Sequence, residues 1–118
     1  MRRGDLVTVA VSGDYGKPRP ALVMQSDLFA DLPSVTVLRL TSDSHASHPI
    51  RIFIKPEPAN GLRAISAVMV DKAVSVPRVR IGHVIGHLDA IVMSEVGLAL
   101  AAFLGLDNEA LAGCISAS

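Results

Sequence analysis

Between residues 5 and 88, apolar side chains recur at every second position in short runs, and each run is broken by glycine, proline or a polar cluster. Period two sends successive side chains to opposite faces of an extended strand, and these runs are rich in the β-branched residues that suit a pleated surface. In "DLVTVAV", Leu6, Thr8 and Ala10 share one face while Val7, Val9 and Val11 share the other. "PALVMQ", "VTVLRLT" and "IRIFIKP" repeat the pattern, with Val35, Val37 and Arg39 in step in the third segment and Ile50, Ile52 and Ile54 in the fourth. Asn60-Gly61 is a tight-turn signal. "RAISAVMVDKAVSV" reads as one long strand or two short ones bent near Asp71, and Pro77 ends that pairing or marks an edge. "IGHVIGHL" reads as extended, because Gly82 and Gly86 disfavour a helix.

At Asp89 the period changes. Met93, Val96, Gly97, Leu100, Phe103 and Leu104 fall at helical spacing, with Asp89 as N-cap, Leu88 and Met93 as a hydrophobic staple, and Gly105 as the stop. The expected fold is mainly β (α+β): a small, strongly curved antiparallel sheet or barrel with one late helix. A chain of 118 residues is long enough for one core and too short for two, so residues 1–118 read as a single domain.

Hydrophobic residues make up 50% of the chain, yet no apolar run approaches the roughly 20 residues a membrane-spanning helix needs. "MRRGDLVTV" passes straight into strand alternation without an apolar signal core, which points to a soluble, cytoplasmic protein. The one cysteine, Cys114, has no intrachain partner and reads as a small hydrophobe in an apolar tail. Net charge is zero but unevenly placed. All 11 Lys and Arg precede His83, together with seven acids, so that part of the chain carries +4; Asp89, Glu95, Asp107 and Glu109 follow. A basic body suits a polyanionic ligand, and a screened, solvated surface gives the same count.

Within "GDYGKPRPALVMQSD", Lys17 and Arg19 each precede a proline, which restricts them toward extended geometry. A guanidinium held in that way is preorganised for carboxylate or phosphate, while the plainer reading of Arg19 is a surface salt bridge. Thr41 and Ser42 leave the third strand, where hydroxyls either bond the backbone in a turn or meet a ligand. Asp71 interrupts "AVMVDKAV" and needs a partner, structural or functional. His45 with His48, and His83 with His87, lack the cysteine or HExxH context of a metal site. No Walker loop, GxGxxG or GxSxG occurs.

Taken in order, these motifs resemble the MazF/PemK (Kid-type) toxins of bacterial toxin–antitoxin systems over almost the whole chain. "RRGDLVTVAV" is similar to the family's RGDIxxV opening strand, "KPRPALVMQSD" to its RPxLVxxxD strand, and "VLRLTS" to a third strand ending in Thr or Ser. "VDKAVSVPRVRIG" resembles DQhRThDxxRhG, with h apolar, and "MSEVGLALAAFLGL" resembles the C-terminal helix. The resemblance implies an SH3-like barrel, a homodimer, a cognate antitoxin, no cofactor, and metal-independent cleavage of single-stranded RNA. By position, Arg19 matches the family's catalytic arginine, Thr41 its catalytic hydroxyl residue, and Asp71 the Asp of the DQ pair. The sequence departs at Lys72, where Gln is usual, at Val74, where Arg or Lys is frequent, and at Met69, where some members carry a further arginine.

Cleavage of this kind uses the ribose 2′-OH against the adjacent phosphate and leaves a 2′,3′-cyclic phosphate and a 5′-OH. Arg19 suits the charge building on the phosphoryl oxygens and Thr41 a hydrogen bond to phosphate, with Asp71, His45 and His48 as acid–base candidates. Lys17, Tyr15, Ser42, Lys72 and Arg80 are the further residues expected to meet RNA. Aromatic residues are only 3% of the chain, so bases have little to stack on beyond Tyr15. Residues 12–17 are expected to form a mobile cover over the site. Two other functions fit the same barrel: a gyrase-poisoning toxin of the CcdB type, and a non-catalytic RNA- or protein-binding module.

Overall fold

Among the described residues, six strands and one helix follow one another: β1 (Asp5–Ala10), β2 (Pro18–Val23), β3 (Ser34–Thr41), β4 (Arg51–Ile54), β5 (Ser66–Pro77), β6 (Ile81–His87) and α1 (Ala90–Leu104), with single 3-10 turns at Asp27–Phe29 and Arg78–Arg80. The computed structural model describes residues 1–10, 17–43 and 50–106. Tyr15 and most of the expected cover, as well as His45, His48 and Cys114, lie outside those residues.

The strands form one antiparallel sheet in the order β4-β5-β3-β2-β1-β6. Alternation fills both of its faces. Leu6, Leu22, Leu38, Val68 and Val70 point to one side, where Met93 and Val96 of α1 cover them. Val7, Val9, Val23, Val35 and Val37 point to the other, where Val76 and Ile81, on either side of the Arg78–Arg80 turn, join the cluster. A valine or leucine side chain fully buried in this way contributes about 1.5–3 kcal/mol relative to exposure.

The bend expected near Asp71 is a register shift within one strand. β5 pairs with β3 at Leu40–Val68 and again at Leu38–Ala73, so residues 69–72 stand against the single residue Arg39. Extra residues on one strand disrupt the ladder and increase the local twist. The sheet's two edges approach through the turn after β4. Asn60 holds that turn: its Oδ1 accepts from the Glu57 and Leu62 N–H groups, and its Nδ2 donates to the Lys55 carbonyl. The His87 N–H then donates to the Ala59 carbonyl at 2.9 Å. Gly86 permits this approach, because a Cβ there would collide with the Asn60 backbone.

Helix α1 begins and ends where the sequence places its caps. The Asp89 carboxylate accepts from the Val92 N–H at 2.9 Å, and Gly105 stops the helix with φ of 75°. Leu88 and Met93 are buried together in the leucine-side cluster. The expected apolar stripe is only half buried, however. Met93 and Val96 are covered, whereas Phe103 and Leu104 are 48% and 56% exposed, because the sheet does not reach under the last turn. Among the described residues no helix is long and apolar enough to cross a membrane.

Candidate active site

Pro18 and Pro20 determine where β2 and β3 part. Neither has an N–H to give to a ladder. β2 stays paired with β1 from Pro18 to Leu22, but its pairing with β3 covers only Ala21, Leu22 and Val23. Beyond the Ala21–Arg39 pair the strands separate, and continuing that antiparallel register by two residues sets Arg19 opposite Thr41. Arg19 shares a face of β2 with Ala21 and Val23, and Thr41 shares a face of β3 with Arg39 and Val37. The side of the sheet that buries valines at one end therefore becomes polar at the other.

A pocket of about 320 Å³ opens at this splayed end. Arg19, Arg39, Thr41, Ser42 and Ser66 give it two guanidinium groups and three hydroxyls, and Pro20, Leu40 and Met69 complete the walls. Thr41 is half-buried, and its Oγ1 accepts from the Asp43 N–H at 3.1 Å. The turn reading of Thr41 and the ligand reading are thus compatible, since that bond occupies a lone pair and leaves the hydroxyl proton to donate. Ser66 is buried and donates to the Ala64 carbonyl at 3.1 Å, which commits its proton to the loop. Arg19 and Ser42 are exposed at the rim.

Asp71 stands outside this lining. It lies two residues beyond Met69 on β5, with its carboxylate 3.9 Å from Arg51 Nε and 3.9 Å from Lys72 Nζ. The partner that a carboxylate in an apolar strand requires is therefore cationic and on the neighbouring strand, since Arg51 pairs with Met69 across β4 and β5. Lys17 is exposed one residue before β2 and does not line the pocket. Arg80 precedes Ile81, which pairs with Val9, and Val9 pairs on its other side with Arg19, so Arg80 stands two strands away from Arg19.

Sequence reasoning missed Arg39 and Ser66 as site residues. Arg39 was within reach: in "VLRLT" it sits two residues before Thr41 and so on the same face. Ser66 enters only through the β3–β5 register, in which Thr41 pairs with its neighbour Ala67.

Residues 2–104 match the family described as PemK-like, MazF-like toxin of type II toxin-antitoxin system. The chain belongs to that family. A relative described as the probable endoribonuclease MazF of Mycolicibacterium smegmatis is 44% identical over 107 residues, which span 90% of this toxin and 98% of the relative. Among solved structures, an endoribonuclease in complex with its cognate antitoxin from a mycobacterial species superposes with a TM-score of 0.76 at 19% identity, over 91% of this toxin and 97% of that chain. The Mycobacterium tuberculosis toxin MazF-mt6 superposes with a TM-score of 0.75 at 23% identity, over 87% and 98%. At those identities the superpositions establish the fold, a curved antiparallel sheet with a C-terminal helix, which is the class the alternation predicts. The toxin's "KPRP" and "LTS" segments both lie inside the matched residues, and Arg19 and Pro20 of the first line the pocket with Leu40, Thr41 and Ser42 of the second.

Proposed function

We propose that this toxin is an endoribonuclease that cuts single-stranded RNA, messenger RNA included, without a metal ion, and that a cognate antitoxin restrains it. The observation that carries this reading is that Arg19 and Thr41, at the end where β2 and β3 part, line one polar pocket. The relative from M. smegmatis bears the name of a probable endoribonuclease, and the mycobacterial structure holds an antitoxin, which supports both halves of the reading.

In the reaction the ribose 2′-OH loses its proton and attacks the adjacent phosphorus. The bond from phosphorus to the 5′-oxygen breaks, and that oxygen takes up a proton, leaving a 2′,3′-cyclic phosphate and a 5′-OH. Charge accumulates on the non-bridging oxygens as the new bond forms. Arg19 meets that charge from β2 and Arg39 from β3, and Thr41 donates its remaining proton to the same phosphate; donors already aimed at developing charge cost no reorganisation at the moment of reaction. Asp71 acts through its pairs with Arg51 and Lys72, holding the cationic edge beside Met69. His45 and His48 remain the acid–base candidates beyond the described residues. Lys17, Lys72 and Arg80 serve the RNA backbone as point charges away from the pocket, Ser42 meets it at the rim, and Tyr15 offers a stacking ring.

The toxin works in the cytoplasm as one domain over residues 1–118 and pairs with a second copy. Ile91 and Leu98 support the pairing: they lie seven residues apart on one stripe of α1, 75% and 68% exposed. Incubating purified toxin with a mixed single-stranded RNA in EDTA tests the reading. Discrete products ending in 5′-OH are expected. A protein that leaves RNA intact but inhibits gyrase would replace this reading with the protein-binding one.

A further inference from the structure

A second pocket, of about 560 Å³, adjoins the first and shares Pro20, Ser42 and Ser66 with it. The two form one continuous groove. On its far side stand Arg63, in the turn before β5, and His83, on β6, both exposed. Its floor is apolar, made by Leu62 and Ile85, whose inner sides pack on the leucine-side core. The elements that meet here are fixed. Gly61, at φ 69°, lies so close to β6 that a Cβ would collide with the Ile85 carbonyl. The His83 N–H donates to Thr8 Oγ1 at 3.1 Å where the β1–β6 register is irregular, so a side chain replaces the missing ladder partner and anchors His83.

This lining has the properties of a nucleotide subsite rather than of a general cationic surface. An unstacked base is recognised by lying on a planar side chain, the imidazole and the guanidinium among them, while its edge meets hydrogen-bond donors. Among the described residues, Arg63 and His83 are the two planar groups of this pocket and no acidic residue lines it. The neighbouring pocket beside Lys55 and Glu57 differs, because Glu57 and Asp89 line it and would repel phosphate. A chain with only 3% aromatic residues needs other planes for bases.

Resting on the RNA-cleaving reading above, we infer that the Arg63–His83 pocket binds the base of a nucleotide flanking the scissile linkage, so that Arg63 and His83 set the toxin's sequence preference at that position. The strand runs from the Arg19–Thr41 pocket across Pro20 and Ser42, and the flanking base settles on Leu62 and Ile85 against the imidazole. His83 supplies the stacking plane and Arg63 the donors to the base edge.

The test is cleavage of a randomised single-stranded RNA pool by the full chain, with the cut ends sequenced, for wild type, Arg63→Ala, His83→Ala, the double variant and His83→Phe. Wild type should prefer particular bases at one flanking position. The double variant should weaken that preference about tenfold or more, the scale of base stacking on a side chain, while preferences at other positions persist. His83→Phe, which keeps a ring, should restore stacking where His83→Ala does not. Unchanged preference in the double variant, or equal weakening at every position, overturns the inference while leaving RNA cleavage in place. A wild-type toxin that cuts no RNA in the pool overturns the functional reading itself, and this inference with it.

Discussion

Arg19 sits between two prolines in a strand that has lost one of its two neighbours, and that placement gives it both access and rigidity. Arg19→Ala should remove a preorganised contact to the transition state and cost roughly 3–4 kcal/mol, two to three decades in cleavage rate. As an exposed residue it should change stability by no more than about 0.5 kcal/mol. Rate and thermal midpoint measured on one preparation check this. Near-normal cleavage, or an unfolded variant, would remove Arg19 from the role. The proline context of Arg19 and the strand-end position of Thr41 were both legible in the sequence, because local chemistry marks them. Arg39 is marked only by its spacing, two residues before Thr41 on the same face. An arginine inside an alternating strand looks like a solvated side chain until the register shows that pairing with β2 stops at Arg39, two residues before Thr41. Asp71 was legible as a residue that needs a partner, but the partner, Arg51, lies 20 positions away in sequence and is joined to it only by β4–β5 pairing.

At the scale of elements, caps and turns were the most readable features, since each is decided by two or three adjacent residues. Asp89 and Gly105 bound α1 as their side-chain chemistry requires, and Asn60-Gly61 makes its turn through the Asn60 carboxamide. Asp89→Ala should destabilise the fold by about 1 kcal/mol through the lost Val92 N–H acceptor, whereas Asp89→Ser should recover most of it. Chemical denaturation of the two variants reads the difference; equal loss in both would mean that the cap contributes through something other than that hydrogen bond. The bend in β5 was legible only as an irregularity. Its cause, four residues of β5 standing against Arg39, depends on a neighbouring strand 30 positions upstream. The half-exposed helix stripe was unreadable for a related reason: periodicity shows which side of a helix is apolar, but not how far the sheet beneath it extends.

Across the whole molecule, the two buried faces of one sheet leave apolar side chains at the surface on α1 and just after it. Ile91, Leu98, Phe103, Leu104 and Leu106 are all at least 48% exposed, an apolar surface that a second copy of the chain would cover. Sedimentation at micromolar concentration should find a dimer, and Leu98→Glu should shift it to monomer without unfolding it. A wild-type monomer, or a dimer indifferent to Leu98→Glu, would place the contact elsewhere or remove it. The uneven charge, +4 before His83 on a neutral chain, fits a surface that meets RNA on the sheet. In the proposed reaction, a groove of guanidinium and hydroxyl groups cleaves RNA through the substrate's own 2′-OH. The most direct measurement is the chemistry of the product ends, made with excess EDTA on an RNA cut at one site and on the same RNA with a single 2′-deoxy substitution there. Cleavage of the first to a 2′,3′-cyclic phosphate and a 5′-OH, with none of the second, is the predicted result; activity abolished by EDTA and restored by a divalent ion, or cleavage of the deoxy-substituted RNA, would contradict it.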